Sequence, residues 1–309
     1  MLKFYKTIEG QILQTNEQEP GCWIRVVSPS VQETEFLTEE LGLDVGFVTS
    51  SLDEEETSRI EQEGDQTFVV VDVPYRSVDE EGTVSYTTLP LGIIITPTYF
   101  VTIGSASTDI IDNIASGRVK GVRTQYRTRF LLTILLRIAQ RFLGYLKQID
   151  RLSDDIQSQL SDAAKNEALI QILGLEKSLV YFSSSLRANE TTLKKISRGR
   201  LLTLYEEDED LLEDTIIEFN QAIEMTGTYT HILNSTMEAY ANIINNNMNV
   251  VMKVLTSVTV LMTIPTMVFS YYGMNVSGLH FPVWWFPLLL AVLSALIGLI
   301  VLVRTKMFK

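Results

Sequence analysis

Residues Asn249–Asn275 read NVVMKVLTSVTVLMTIPTMVFSYYGMN, and the architecture of the whole chain follows from them. Within this stretch Val254–Ser270 runs for 17 residues without a charge, and a second uncharged run, Phe281–Val303, has 23. About 20 apolar residues cross a bilayer, with roughly 17–25 tolerated. Buried helices of soluble cores seldom stay uncharged for so long, so two transmembrane helices are expected, over about 250–270 and 281–303. The loop between them, 271–280, carries the tripeptide Gly273-Met274-Asn275, 34 residues from the C-terminus. A short polar loop joining two hydrophobic helices can line the mouth of a pore.

The charges around these spans set their orientation. Lys253 precedes the first, Arg304, Lys306 and Lys309 follow the second, and Tyr271–His280 has neither Lys nor Arg. The positive-inside rule then puts both termini in the cytoplasm and the loop outside, in a multi-pass protein of the plasma (inner) membrane. The opening MLKFYKTIEGQ has no apolar signal-peptide core. A single cysteine, Cys22, excludes an intramolecular disulfide and suits a reducing compartment. Net charge is −13 although the membrane flanks are basic, so the acid excess lies in the soluble part and nucleic acid is not an expected partner.

Taken as a helix advancing about 100° per residue, the first span is two-faced. Asn249, Leu255, Thr256, Thr259, Thr263, Thr266 and Ser270 all fall within about 60° of Met252, whereas Val254, Val258, Leu261, Ile264 and Val268 lie opposite. Two readings of the stripe stand side by side: a lumen lining, or hydroxyls that satisfy their own backbone and glue helices together. As a lumen it offers apolar rings at Met252 and Leu255, suited to a dewetting gate. Neutral hydroxyl rings follow at Thr259, Thr263 and Thr266. Such dipoles cannot strip water from Mg²⁺, which dehydrates reluctantly, so a hydrated ion is the expected passenger. An amide ring at the outer mouth, from Asn275, could touch the hydration shell.

Upstream, residues 1–203 read as an α/β domain, 204–251 as a stalk helix and 252–309 as the pore region. β-rich runs lie at Cys22–Val27, Thr67–Val73, Leu91–Thr96 and Tyr99–Ile103, and Ser28-Pro29 reads as the start of a helix over Ser30–Gly42. Apolar residues at helical spacing then predict long antiparallel helices over about 124–161 and 167–196, with a break at Ser197–Gly199. The overall class is α+β with long helices. A third helix starts near Glu206–Asp210 and carries the stripe Thr226, Thr230, Leu233, Met237, Tyr240, Ile244, Met248, Val251, Leu255 straight into the first span. At about 90 Å it lacks an intramolecular partner along most of its length, so a parallel homo-oligomer is expected. There is no Walker A, dinucleotide loop or Cys/His cluster, hence no enzyme and no organic cofactor. A pore without an ATP site conducts passively, and for a divalent ion the membrane potential would supply about 4.6 kcal/mol per 100 mV.

Tyr272-Gly273-Met274-Asn275 between two C-terminal spans, with Asn249–Thr256 leading into the first, resembles the CorA family of divalent metal transporters. The resemblance is strong over roughly 205–309 and architectural over 1–204. It implies a homopentameric funnel with a cytoplasmic α/β domain, moving Mg²⁺ and closed by intracellular Mg²⁺. It further implies that Gly273, Met274 and Asn275 form the selectivity loop, and that Asn249, Met252 and Leu255 form the constriction. Asp214 matches the family's regulatory Mg²⁺ carboxylate; an ordinary solvated acid is the other reading. Asp79, Glu80 or Glu81 of a neighbouring subunit are the candidates for its partner. One departure stands out: Val276-Ser277-Gly278-Leu279-His280 lacks the acids many relatives carry there, so electrostatic focusing at the mouth is weaker. Transport of Zn²⁺ (ZntB-like), Co²⁺ or Ni²⁺ on the same fold therefore stays open. His231 and His280 are the chain's two histidines and make no visible inner-sphere zinc site. The alternative from another class is a non-conducting, membrane-anchored sensor or scaffold.

Overall fold

The structure, a computed structural model, describes residues 1–78, 84–159, 165–274 and 283–304. It divides into two compact units, Met1–Asn234 and Ser235–Lys309.

The first unit is built on a seven-stranded mixed sheet in the order β2-β1-β3-β7-β6-β5-β4. The strands are β1 (Leu2–Ile8), β2 (Gln11–Thr15), β3 (Trp23–Val27), β4 (Arg59–Glu63), β5 (Gln66–Val78), β6 (Val84–Ile95) and β7 (Phe100–Gly104). β3 and β7 pair in parallel and the other neighbours antiparallel. All four expected strands are present as β3, β5, β6 and β7, but β5 and β6 extend further, pairing out to Val78 and Val84. β1, β2 and β4 are additions. The β1–β2 hairpin turns at Glu9 and Gly10, both with positive φ (48° and 81°), as a tight two-residue hairpin requires.

Helices cover both faces of the sheet. On one side α1 (Val31–Glu35), a π-helical turn (Phe36–Glu40) and α2 (Val45–Ser50) close over Ile24, Val26, Phe68, Val70, Ile94, Val101 and Ile103. The expected start at Ser28-Pro29 is corrected. Ser28 is left-handed (φ 43°), and the N-cap is Ser30, in a capping box with Glu33. The Ser30-x-x-Glu33 spacing outweighs the proline because it satisfies two free backbone donors at once.

On the other side lie α4 (Arg127–Gln159) and α5 (Lys165–Ser197), close to the two long helices the periodicity predicts. Phe142 meets Phe182 edge-on at 5.0 Å, each equally far from the connection, so the pair runs antiparallel. Trp23 anchors the sheet beneath α4: its ring meets Phe130 at 5.3 Å and its Nε1–H donates to Thr102 Oγ1 at 2.9 Å. A polar staple fixes α5. Asn189 Nδ2 donates to the Asp72 carbonyl at 2.8 Å, and Asn189 Oδ1 accepts from the Asp72 N–H at 2.9 Å, so one side chain mimics a strand.

α6 (Glu209–Tyr272) is one helix of 64 residues that passes through Gly227 and Pro265. Within the first unit it buries Thr215, Phe219, Ala222, Thr226 and Leu233. In the second unit it is accompanied by α7 (Phe286–Arg304).

Candidate functional site

The described part of the second unit holds the end of α6 and α7, and their uncharged stretches, Val254–Ser270 and Phe286–Val303, are apolar yet almost uncovered. Of α7 only Ala291 is buried, although the helix is uncharged until Arg304. A core helix of a soluble protein would be covered by its own chain. These two are instead shaped for a hydrocarbon solvent, which removes the soluble-core reading of both runs. Tyr271, Trp284 and Trp285 are exposed at the loop end of the pair, and Lys253 and Arg304 at the other, the distribution expected at two bilayer interfaces.

The two helices meet along a narrow seam. On α6 the shielded residues are Ser257, Leu261, Ile264, Pro265 and Val268; on α7 they are Ala291, Ser294, Ala295 and Gly298. Small residues on α7 allow close approach, as membrane helix pairs require. The fit is tight: a Cβ added to Gly298 would lie 2.8 Å from Ile264 Cδ1 and 3.6 Å from Leu261 Cδ1. At about 100° per residue this seam is centred roughly 160° from Met252. α7 therefore covers the back of α6. Asn249, Met252, Leu255, Thr256, Thr259, Thr263, Thr266 and Ser270 are all left exposed on the front.

Three of the hydroxyls on that front are satisfied by their own helix. Thr259 Oγ1 donates to the Leu255 carbonyl at 2.8 Å, Thr263 to Val260 at 2.7 Å and Thr266 to Met262 at 2.9 Å. The backbone-satisfying reading of the stripe thus holds for these bonds, and it is compatible with a lumen. A hydroxyl has one proton and two lone pairs. Once the proton is given to the helix, the oxygen can only accept. A hydrated divalent cation presents outward-pointing water O–H donors, which is what a row of acceptor-only oxygens suits.

At the end of α6, the Gly273 N–H donates to the Phe269 carbonyl at 2.9 Å, closing the helix, and Met274 is exposed. Asn275 lies outside the described residues, as do Asp79, Glu80 and Glu81. Asp214 is exposed on α6 with its carboxylate facing solvent in the single chain. Among the described residues no group of three or more His, Cys, Asp or Glu converges to hold a metal. The structure therefore brings the stripe residues onto one face, and among the described residues it assembles no metal site. Sequence reading missed the seam. Its signal was present in the spacing of Ala291, Ser294, Ala295 and Gly298.

The family model described as CorA-like Mg²⁺ transporter protein matches residues 19–304. Over 261 residues the chain is 31% identical to the cobalt/magnesium transport protein CorA of Methanocaldococcus jannaschii, covering 83% of this chain and 80% of that protein. The complete structure of the CorA magnesium transporter from the same organism superposes with a TM-score of 0.83 at 26% identity, over 99% of this chain and 98% of that one. The ZntB cytoplasmic domain from Vibrio parahaemolyticus matches with a TM-score of 0.62 over 79% of this chain and 98% of its own. At 11% identity that likeness shows the fold alone.

Proposed function

Because the chain belongs to the CorA-like Mg²⁺ transporter family, and so is a divalent-cation transporter of the membrane rather than an enzyme, we propose that it conducts hydrated Mg²⁺ passively through a homopentameric pore closed by intracellular Mg²⁺. The observation that carries this reading is the opposition of the two faces of α6. α7 covers one, and the other presents the acceptor oxygens of Thr259, Thr263 and Thr266 above the apolar Met252 and Leu255. A row of this kind needs water or a second copy of itself to face; five copies around an axis supply both. In this reading 1–203 senses the ion, 204–251 is the stalk and 252–309 the pore, with both termini cytoplasmic.

The steps follow from the residues. At the outer mouth Asn275, beside Gly273 and Met274, contacts the water shell through its amide oxygen, which discriminates by the size and geometry of the hydrated ion without removing its water. The ion then passes Thr266, Thr263 and Thr259, whose oxygens replace bulk water as second-layer acceptors. Leu255, Met252 and Asn249 form the last constriction, and the apolar pair empties of water when narrow. Closure comes from the cytosol. Asp214, bridged by Mg²⁺ to a carboxylate of the neighbour (Asp79, Glu80 or Glu81), holds the ring closed, and loss of that ion leaves like charges to repel and the gate to widen. The permeant ion is thereby its own effector. Mg²⁺ is taken as the working ion because the polar groups of the stripe are hydroxyls and an amide, whose oxygens suit a hydrated hard cation.

The test is ion-resolved uptake into liposomes by the wild type and by a variant with Thr259, Thr263 and Thr266 changed to Val. Valine keeps the volume and removes the acceptors. Mg²⁺ uptake should fall at least tenfold with assembly intact; unchanged uptake would remove the stripe from the pathway. Asp214→Ala should conduct at millimolar internal Mg²⁺ that closes the wild type, and should lose Mg²⁺-dependent protease protection. Retention of both would return Asp214 to an ordinary surface acid.

A further inference from the structure

We propose that a cleft between α3 (Asp109–Ala115) and α4 is a binding site for a small polyanion of the di- or triphosphate class. The cleft has a volume of about 330 Å³, and three guanidinium groups, Arg118, Arg137 and Arg141, line it. This is an unusual concentration in a chain with 25 basic and 38 acidic residues.

The two outer arginines are held without being neutralised. Arg118 Nη1 donates to Asn113 Oδ1 at 3.0 Å and Arg137 Nη1 to Gln140 Oε1 at 2.9 Å. Amide oxygens orient a guanidinium fork but carry no charge to cancel it, and neither arginine has an ion pair among the described residues. With their oxygens so engaged, the Asn113 and Gln140 amides also keep –NH₂ donors of their own. Arg141 is paired with Asp109 and lies 5.4 Å over the Tyr145 ring, which fixes its plane. Among the described residues no carboxylate lines the cleft.

The backbone sets these groups in place. α3 ends in a Schellman motif at Gly117 (φ 70°): the Arg118 N–H donates to the Asn113 carbonyl at 3.0 Å and the Gly117 N–H to Ile114 at 3.0 Å. That fold-back puts Arg118 beside its own Asn113. Arg137, Gln140 and Arg141 share one face of α4 by their three- and four-residue spacing.

Guanidinium forks match phosphate oxygens in bidentate geometry. A singly charged phosphodiester would leave the cleft positive, whereas a di- or triphosphate brings three or four charges to two uncompensated guanidiniums and a third beside them. A long polyanion such as nucleic acid is repelled by the net charge of −13. A compact one experiences mainly the local field.

The experiment is titration calorimetry on the full chain in detergent with sodium tripolyphosphate, in EDTA so that no metal competes for the ligand. Saturable binding is expected, weakened at least tenfold by Arg118→Gln with Arg137→Gln. A control removing equal charge elsewhere, Arg187→Gln with Arg198→Gln, should bind as the wild type does. Dimethyl phosphate at the same concentration should not compete. Absence of binding by the wild type, undiminished binding by the first pair, an equal loss in the control, or competition by dimethyl phosphate would each overturn the proposal. All four arginines are exposed, so unfolding does not confound the comparison.

Discussion

Asp72 sits on β5 beneath α5, where burial pushes its carboxyl above the usual range while the Ser185 and Ser58 hydroxyls pull it back. A carboxyl with a raised folded-state value favours folding in its protonated form. Its stability cost is therefore present at neutral pH and is relieved as pH falls through the raised value toward the ordinary 3.8. Asp72→Asn keeps the hydrogen-bonding shape, so it should raise the melting temperature at pH 7 and lose that advantage near pH 4. A gain independent of pH would show that ionisation is irrelevant there. Gly92 makes a second residue-level case. A Cβ at this position would lie 1.8 Å from Ser51 Oγ and 3.2 Å from Ser51 Cα, and Ser51 is itself tied to the Phe47 carbonyl at 2.7 Å. Gly92→Ala should destabilise the first unit by about 1–3 kcal/mol, the range of overpacking, read as a lowered urea midpoint; an unchanged midpoint would mean that α2 moves freely. In the loop, Asn275→Ala should abolish Mg²⁺ uptake without dispersing the oligomer, because its proposed partner is the ion's water. Near-normal uptake would remove Asn275 from selectivity.

In the proposed pore the two faces of α6 have different tasks. Replacing Met252 and Leu255 with Ser should raise basal Mg²⁺ leak at high internal Mg²⁺, since a wetted constriction no longer excludes a hydrated ion; unchanged leak would move the gate elsewhere. On the opposite face, Gly298→Ala meets the far ends of the Ile264 and Leu261 side chains and should be tolerated, whereas Gly298→Leu should separate α7 from α6 and reduce folded yield. The two apolar helices, the two long helices over the sheet and four strands were legible because their pattern is strong and local. β4 was not, since Arg59-Ile60-Glu61-Gln62-Glu63 has one apolar residue and is a strand only because β5 pairs with it. β1 and β2 carried a readable signal in the Glu9-Gly10 turn. The stripe on α6 was legible from spacing alone. That α7 covers the reverse face was not, because which face a membrane helix buries depends on its neighbour's small residues rather than on its own hydrophobicity.

At the scale of the molecule, residues 241–256 of α6 are exposed throughout and include Ile243, Ile244, Met248, Val251 and Leu255. A helix with such a surface, left uncovered by the described residues, calls for copies of itself, the physical basis for the proposed assembly. Topology can be read cleanly because the one native cysteine, Cys22, is buried. A cysteine at Ser277 should react with an impermeant thiol reagent from outside and one at Glu206 should not; the reverse pattern would invert the protein. In the proposed function Mg²⁺ moves down its electrochemical gradient and shuts its own path. This is tested most directly by Mg²⁺ uptake into proteoliposomes of the purified chain under an imposed inside-negative potential, with the cytosolic face at zero or millimolar Mg²⁺. Uptake that rises with the potential and stops at millimolar cytosolic Mg²⁺ is the predicted result. Uptake indifferent to the potential, or none in either condition, would contradict it.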